Sequence, residues 1–291
     1  MAKYRAQGFL VIEEPQISLS ECNWCRGLLS TLIREGRGRN EGRNLDLGIM
    51  DGDQFLSSPQ ILQPSLYSAE LRTLSYRPAA LAVAKQLLGP DATFMGDQAI
   101  LKPIRTGGPT PWHQDEAFRD PNFECKELSI WIALSETTLK SGPMRYVPES
   151  HFLGVLPHRT YGKPGDDNAI ECYTGFDAAA AVVCPIPAGS MIIHDGRTVH
   201  GALPNTSEGE RIAYILQFST PPVARAEYRE YPWLKGFRKN MLSRRADWLL
   251  RGGIFPELLR IIRSDRHSHR HFISLFVQRK INALRNRFRN K

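Results

Sequence analysis

The chain has 291 residues, 42% of them hydrophobic, which suits a soluble globular protein with one large core or two modest ones. Its five cysteines (Cys22, Cys25, Cys125, Cys172, Cys184) are odd in number and sparse, which argues against a disulfide framework. The first residues lack the apolar stretch of a signal peptide, and no run approaches the roughly 18 apolar residues that span a bilayer, so a cytoplasmic location is expected. The formal charge of +8 is uneven: Lys235 to Lys291 holds 16 Lys/Arg against three acidic residues, a net +13 that leaves −5 for residues 1–234.

Gly8-Phe9-Leu10-Val11-Ile12 predicts a short buried strand. Ser18 or Ser20 can cap a helix through about Arg34, with Leu28, Leu29, Leu32 and Ile33 at apolar spacing. Cys22-Asn23-Trp24-Cys25 falls in that stretch with no second pair to complete a zinc site, and is read as buried thiols. Gly36 to Gly48, rich in Gly, Arg and Asn, predicts a mobile loop, and Ser68 to Leu88 a second helix stopped by Gly89-Pro90. From Thr93 to about Thr220 strands take over, with clear β runs at Leu128–Leu134, Met191–Ile193 and Arg211–Phe218 between Pro and Gly turns. Helices followed by many short strands predict an α+β, mainly β architecture: a barrel or double-sheet core flanked by helices.

Past Pro221-Pro222 the pattern turns helical and basic. Residues 1–234 are read as one domain and 235–291 as a basic helical extension packed on it. His267, His269 and His271 alternate as a metal site might, but Arg263, Arg266 and Arg270 stand among them, so a solvated basic face is expected. Ile273, Phe276, Val277, Ile281, Leu284 and Phe288 are at near-helical spacing and are read as a stripe docked on the core. Contact with anionic lipid and steering of an anionic substrate are the other readings of this segment, and its basic face stays unassigned.

The chemistry concentrates at His113-Gln114-Asp115. Residues two apart on a strand leave the same face, so imidazole and carboxylate converge. A third ligand from a distant strand completes a two-histidine, one-carboxylate set, which grips a metal on one face and leaves the other positions open, as in non-haem Fe(II) oxygenases. His200 and His194 both stand as that third ligand, six residues apart, and parity alone does not separate them.

Several patterns recur here in order. They are the Gly8–Ile12 strand, Trp112-His113-Gln114-Asp115, Trp131-Ile132-Ala133-Leu134, Ser141-Gly142-Pro143-Met144, Val147-Pro148-Glu149-Ser150-His151, and His200-Gly201 with Pro204-Asn205-Thr206-Ser207 and Arg211. Over about Gly8 to Phe218 the chain resembles the phytanoyl-CoA dioxygenase family of Fe(II)/2-oxoglutarate oxygenases. The resemblance implies a double-stranded β-helix (jelly-roll, cupin-like) core and Fe(II), 2-oxoglutarate and O2 as cofactors. It makes His113, Asp115 and His200 the iron ligands and, with the eleven-residue step to Arg211, favours His200 over His194. Arg211 would pair with the distal carboxylate of 2-oxoglutarate, and Trp131 would flank it. Gln98 and Thr110 are further contact candidates, with Lys102 behind them. Asp115 argues for hydroxylation or a related oxidation, since halogenase-type relatives carry Ala or Gly there.

Two positions depart from the family pattern. Ala202 stands where relatives often carry a serine that helps hold the cosubstrate carboxylate, and Glu149 where they often carry glycine. His151 and His158 are read as structural. The function expected is hydroxylation of a C–H bond of a small organic substrate, in secondary-metabolite biosynthesis, with release of succinate and CO2. Gly36–Gly48 and Tyr161–Ala178 are candidate lids. An acyl-CoA or lipid hydroxylase, or a scaffold on a degenerate oxygenase core, is the alternative. No nucleic-acid partner is expected: Gln217 occupies the position six after Arg211 where nucleic-acid demethylases on similar cores show a second arginine. Membrane contact through the basic segment is disfavoured, and a monomer or homodimer is expected.

Overall fold

The computed structural model describes residues 1–161 and 169–235; the basic segment, its three alternating histidines and its apolar stripe lie outside the described residues. Helix α1 (Ala2–Gln7) leads into strand β1 (Phe9–Ile12) and helix α2 (Leu19–Arg34). Strands β2 (Asn44–Asp46), β3 (Ile49–Asp51), β4 (Gln54–Leu56) and β5 (Pro59–Leu62) precede helix α3 (Arg77–Leu88). The chain continues through β6 (Thr93–Lys102), β7 (Thr110–His113), β8 (Phe123–Glu124), β9 (Glu127–Ala133), β10 (Met144–Tyr146), β11 (His158–Tyr161) and β12 (Ala169–Cys172). It ends in β13 (Val182–Cys184), β14 (Met191–Asp195), β15 (His200–Ala202), β16 (Arg211–Ser219) and β17 (Val223–Ala224).

Seven strands in the order β1-β14-β9-β16-β6-β5-β2 form a large sheet, and four in the order β13-β10-β15-β7 form a small one. Every pairing in both is antiparallel, and together they make the expected jelly-roll core. Strand β9 shows how the layers are specified. All seven of its residues are buried because both faces of the sheet are covered. Leu128, Ile130 and Ile132 join Cys22, Cys25 and Leu29 of α2 and Ala80 and Ala84 of α3 in a helix-side core. Trp131 and Ala133 face the other way, packing with Met144, Tyr146 and Ala202 of the small sheet. Strand β16 repeats the alternation in register, with Ile212, Tyr214 and Leu216 on the helix side and Ala213 and Ile215 between the sheets.

Helix α2 starts as expected, with Ser18 Oγ accepting from the Glu21 amide at 3.2 Å. The Glu21 carboxylate accepts from Ser75, at 3.0 Å from its amide and 2.6 Å from its hydroxyl, and ties α2 to the approach of α3. The second helix begins at Arg77, not Ser68, and Glu70–Arg72 forms a separate 3-10 turn. Pro78 explains the difference, because its ring has no N–H to give and would clash with the carbonyl four residues back. The segment read as a mobile loop holds a 3-10 turn (Arg39–Glu41) and strand β2: β2 pairs with β5, and Asn44 Nδ2 donates to the Leu32 and Ile33 carbonyls at the end of α2. Cys22 and Cys25 are buried, and burial pushes the Cys25 thiol up to about 12, so the C-x-x-C is packing. Among the described residues no helix is long and apolar enough to cross a membrane.

Candidate metal centre

Strand β7 ends at His113, and Asp115 opens the 3-10 turn Asp115–Phe118, so the histidine and the carboxylate are not on one strand. They still share a face because Gln114 keeps extended geometry, φ −123° and ψ 134°. Gln114 points the other way, fully buried. Its Nε2 donates to the carbonyls of Gly154 (2.7 Å) and Arg197 (2.5 Å), and its Oε1 accepts from the Leu156 amide at 2.7 Å. The middle residue of the motif fastens the loops behind the site.

His200 stands directly opposite His113 in the β15–β7 ladder. Ligand atoms of His113, Asp115 and His200 all lie within 4.8 Å of one another. Both histidine Nε2 atoms approach the same Asp115 oxygen, Oδ1, at 3.9 and 3.8 Å. His113 Nδ1 lies 2.8 Å from the Pro111 carbonyl and His200 Nδ1 2.8 Å from the Thr198 carbonyl. A carbonyl only accepts, so each Nδ1 carries the proton and each Nε2 lone pair faces the centre. Burial pushes both imidazoles below their ordinary range, and the other histidines add to this for His200. Burial alone would raise the Asp115 carboxyl, but the His194 hydrogen bond and the His200 and His113 rings hold it well below the usual carboxylate range. Neutral imidazoles around an ionised carboxylate form the donor set that a divalent cation takes.

His194 stands behind the carboxylate. Its Nε2 is 3.3 Å from Asp115 Oδ2, which also accepts from Ser129 Oγ at 2.6 Å, and its Nδ1 is 3.3 Å from Tyr146 Oη. Oδ2 is engaged and Oδ1 faces the two histidines. Sequence reasoning missed Ser129 and Tyr146. Ser129 left a signal: it is the one polar residue in Leu128–Leu134 on the face that Trp131 and Ala133 share.

Arg211 begins β16 in the large sheet, across from the small sheet that carries His200, and not on a neighbouring strand of the same sheet. It is 1% exposed. Its Nη2 donates to the Gly142 carbonyl at 2.8 Å, and its Nε has no hydrogen-bond partner among the described residues. Burial pushes it down to about 9. Its guanidinium carbon is 5.4 Å from the Trp131 ring centroid, and the buried Trp131 Nε1 also lacks a hydrogen-bond partner among the described residues. Gln98 shares the inter-sheet face through its ladder with Ile215, but its Nε2 donates to Gln60 Oε1 at 2.5 Å and Arg211 stands opposite Lys102 instead. Thr110 pairs with Ala202 on the small sheet. A Cβ on Gly201 would come within 2.8 Å of the Thr110 carbonyl, so glycine after His200 permits the close approach of β15 and β7.

Two further histidines among the described residues stand outside the ligand set. His151 Nε2 is 3.1 Å from the Arg5 carbonyl, and His158 accepts from the Gln114 amide at 3.2 Å through Nε2. Glu149 has φ 65°, a left-handed conformation that favours glycine, which is the physical basis for the glycine expected there.

The family model for phytanoyl-CoA dioxygenase (PhyH) matches residues 4–213. A probable alpha-ketoglutarate-dependent hypophosphite dioxygenase of Stutzerimonas stutzeri is 28% identical over 179 residues, 59% of this chain and 62% of that protein. Phytanoyl-CoA dioxygenase domain-containing protein 1 of Mus musculus is 28% identical over 149 residues, 50% of this chain and 51% of that protein. The chain thus spans between half and two thirds of the length of these relatives. The crystal structure of EvdO2 from Micromonospora carbonacea var. aurantiaca complexed with 2-oxoglutarate is similar at TM-score 0.67 and 31% identity, covering 80% of this chain and 94% of that one. The family match runs from α1 into β16 and takes in every residue of the centre, and the chain belongs to the phytanoyl-CoA dioxygenase family.

Proposed function

We propose that the chain is an Fe(II)- and 2-oxoglutarate-dependent dioxygenase that hydroxylates a C–H bond of a small organic substrate, in secondary-metabolite biosynthesis, releasing succinate and CO2. The observation that carries it is the donor set: two imidazoles with their protons held on Nδ1, aimed at one oxygen of a carboxylate whose other oxygen is taken. That set fits Fe(II) and leaves coordination positions open on one side. When bound, Fe(II) with 2-oxoglutarate and O2 supplies the oxidising power, through decarboxylation of the cosubstrate.

The side chains orient, hold charge and exclude water. Ser129 and His194 keep Oδ2 occupied, so Asp115 presents Oδ1 alone. Arg211, buried with an unpartnered Nε, receives the distal carboxylate of the cosubstrate, and Trp131 closes the wall beside it. Phe9, Trp131, Tyr146, Ile192 and Ile215 keep the surrounding inter-sheet layer apolar and dry. Gln217 shares the face of Ser129, and Gln98 and Gln60 line the same sheet further out. These carboxamides suit a substrate with hydroxyl or carbonyl groups better than an alkyl chain, which favours a small polar molecule over an acyl-CoA.

Measurement of succinate formed from 2-oxoglutarate tests the reading. The wild type forms succinate with Fe(II), faster when a screen of polar small molecules includes its substrate; His113→Ala and Asp115→Ala abolish it. Substrate-dependent succinate from either variant would refute the ligand assignment.

A further inference from the structure

Two of the motifs set apart in the sequence, Ser141-Gly142-Pro143-Met144 and the run from His200 to Arg211, close on one buried side chain, Lys102, at the end of β6. It is 0% exposed. Asn205 holds its backbone, with Nδ2 donating to the Lys102 carbonyl at 3.0 Å and the Pro103 carbonyl at 2.9 Å. Gly107 and Gly142 make room for its stem: a Cβ on either would stand 2.8 Å from Lys102, at Cβ and Cδ respectively. Its Nζ donates to the Gly108 carbonyl, which takes one of three ammonium protons.

Arg211 stands directly opposite Lys102 in the β16–β6 ladder, also buried. Like charges facing each other on adjacent strands repel, and burial adds the loss of hydration. Burial first, then Arg211 and Arg145, push the Lys102 ammonium well below its ordinary range. Among the described residues no carboxylate forms an ion pair with either cation. Stability does not explain such a pair, since apolar side chains of similar volume commonly serve at least as well as buried charge. An anion shared by both does. The small sheet offers only a methyl group at Ala202, fully buried in the layer that holds Trp131.

We propose that Lys102 is a second cosubstrate-binding residue, sharing the distal carboxylate of 2-oxoglutarate with Arg211 and standing in for the hydroxyl that Ala202 lacks. The proposal rests on the cosubstrate reading above. Isothermal titration of the metal-loaded, oxygen-free chain compares 2-oxoglutarate with 2-oxopentanoate, which keeps the keto acid and lacks the distal carboxylate. Wild type binds 2-oxoglutarate far more tightly. Lys102→Met weakens 2-oxoglutarate by about 10- to 100-fold and leaves 2-oxopentanoate within about twofold. Lys102→Gln, which keeps a donor for the Gly108 carbonyl, gives the same selective loss and serves where the methionine variant does not fold. Ala202→Ser in the Lys102→Met background recovers part of the affinity. Retention of the wild-type preference in the variants, or equal weakening of both acids, overturns the role of Lys102 alone. Absence of any preference in the wild type overturns the cosubstrate reading and this proposal with it.

Discussion

At the scale of single residues, hydrogen bonds to backbone carbonyls assign each ring nitrogen of His113 and His200, and a pair of donors assigns each oxygen of Asp115. His158 is the counterpart outside the ligand set, behind Gln114. Burial pushes it down to about 4, while its Nε2 accepts from the Gln114 amide. Its imidazole ordinarily titrates near 6.5, so between that pH and about 4 the unfolded chain binds a proton that the folded chain does not. Stability from this group is complete above pH 6.5 and is lost as pH falls toward 4, by roughly 3 kcal/mol. Thermal melts between pH 7 and 4.5 should show a shallower acid loss in metal-loaded His158→Gln than in metal-loaded wild type; parallel losses would refute the assignment. His158 has no motif around it, so only its tertiary neighbours reveal this.

At the scale of elements, α3 is fixed to the large sheet by a buried polar cluster. Asp97 Oδ2 on β6 accepts from Tyr214 Oη of β16 at 2.5 Å and from Arg77 Nη2 of α3 at 3.2 Å, while Oδ1 accepts from Ser65 Oγ at 2.9 Å. The exposed pair of Arg105 and Glu208 contributes at most about 1 kcal/mol. Removing the buried carboxylate instead leaves the Arg77 charge without its acidic partner. Asp97→Ala is expected to lower unfolding free energy by about 3–5 kcal/mol, read by urea denaturation. Asp97 is on the helix side of β6, so the folded fraction should keep its metal affinity; a parallel loss of metal binding would contradict that placement. The sequence marks β6, but nothing in it says that Arg77 and Tyr214 meet Asp97, because 20 and 117 residues separate them from it.

At the scale of the molecule, the candidate metal centre is a seam. His113 and His200 come from the small sheet, while the groups gripping Asp115, Ser129 and His194, come from the large one. A metal bound there joins the two sheets and stabilises the folded chain by mass action, about 2.7 kcal/mol at a hundredfold excess over the dissociation constant. Fe(II) or Mn(II) added to chelator-treated protein should therefore raise the melting temperature by roughly 5–10 °C. Asp115→Ala should abolish that rise; an undiminished rise in the variant would place the metal elsewhere.

The sequence by itself determined the layers and the family. Near-continuous apolar runs at Leu128–Leu134 and Arg211–Phe218 mark strands covered on both faces, and the ordered motifs from Gly8 to Arg211 identify the jelly-roll. Those signals are local, since a period of two or a run of turn residues is written in consecutive positions. Only the tertiary structure sets His200 apart from His194, because both belong to strands that reach the same carboxylate and differ in which oxygen they face. It also set Lys102 opposite Arg211, a relation fixed by register between strands more than a hundred residues apart and therefore invisible to any local pattern.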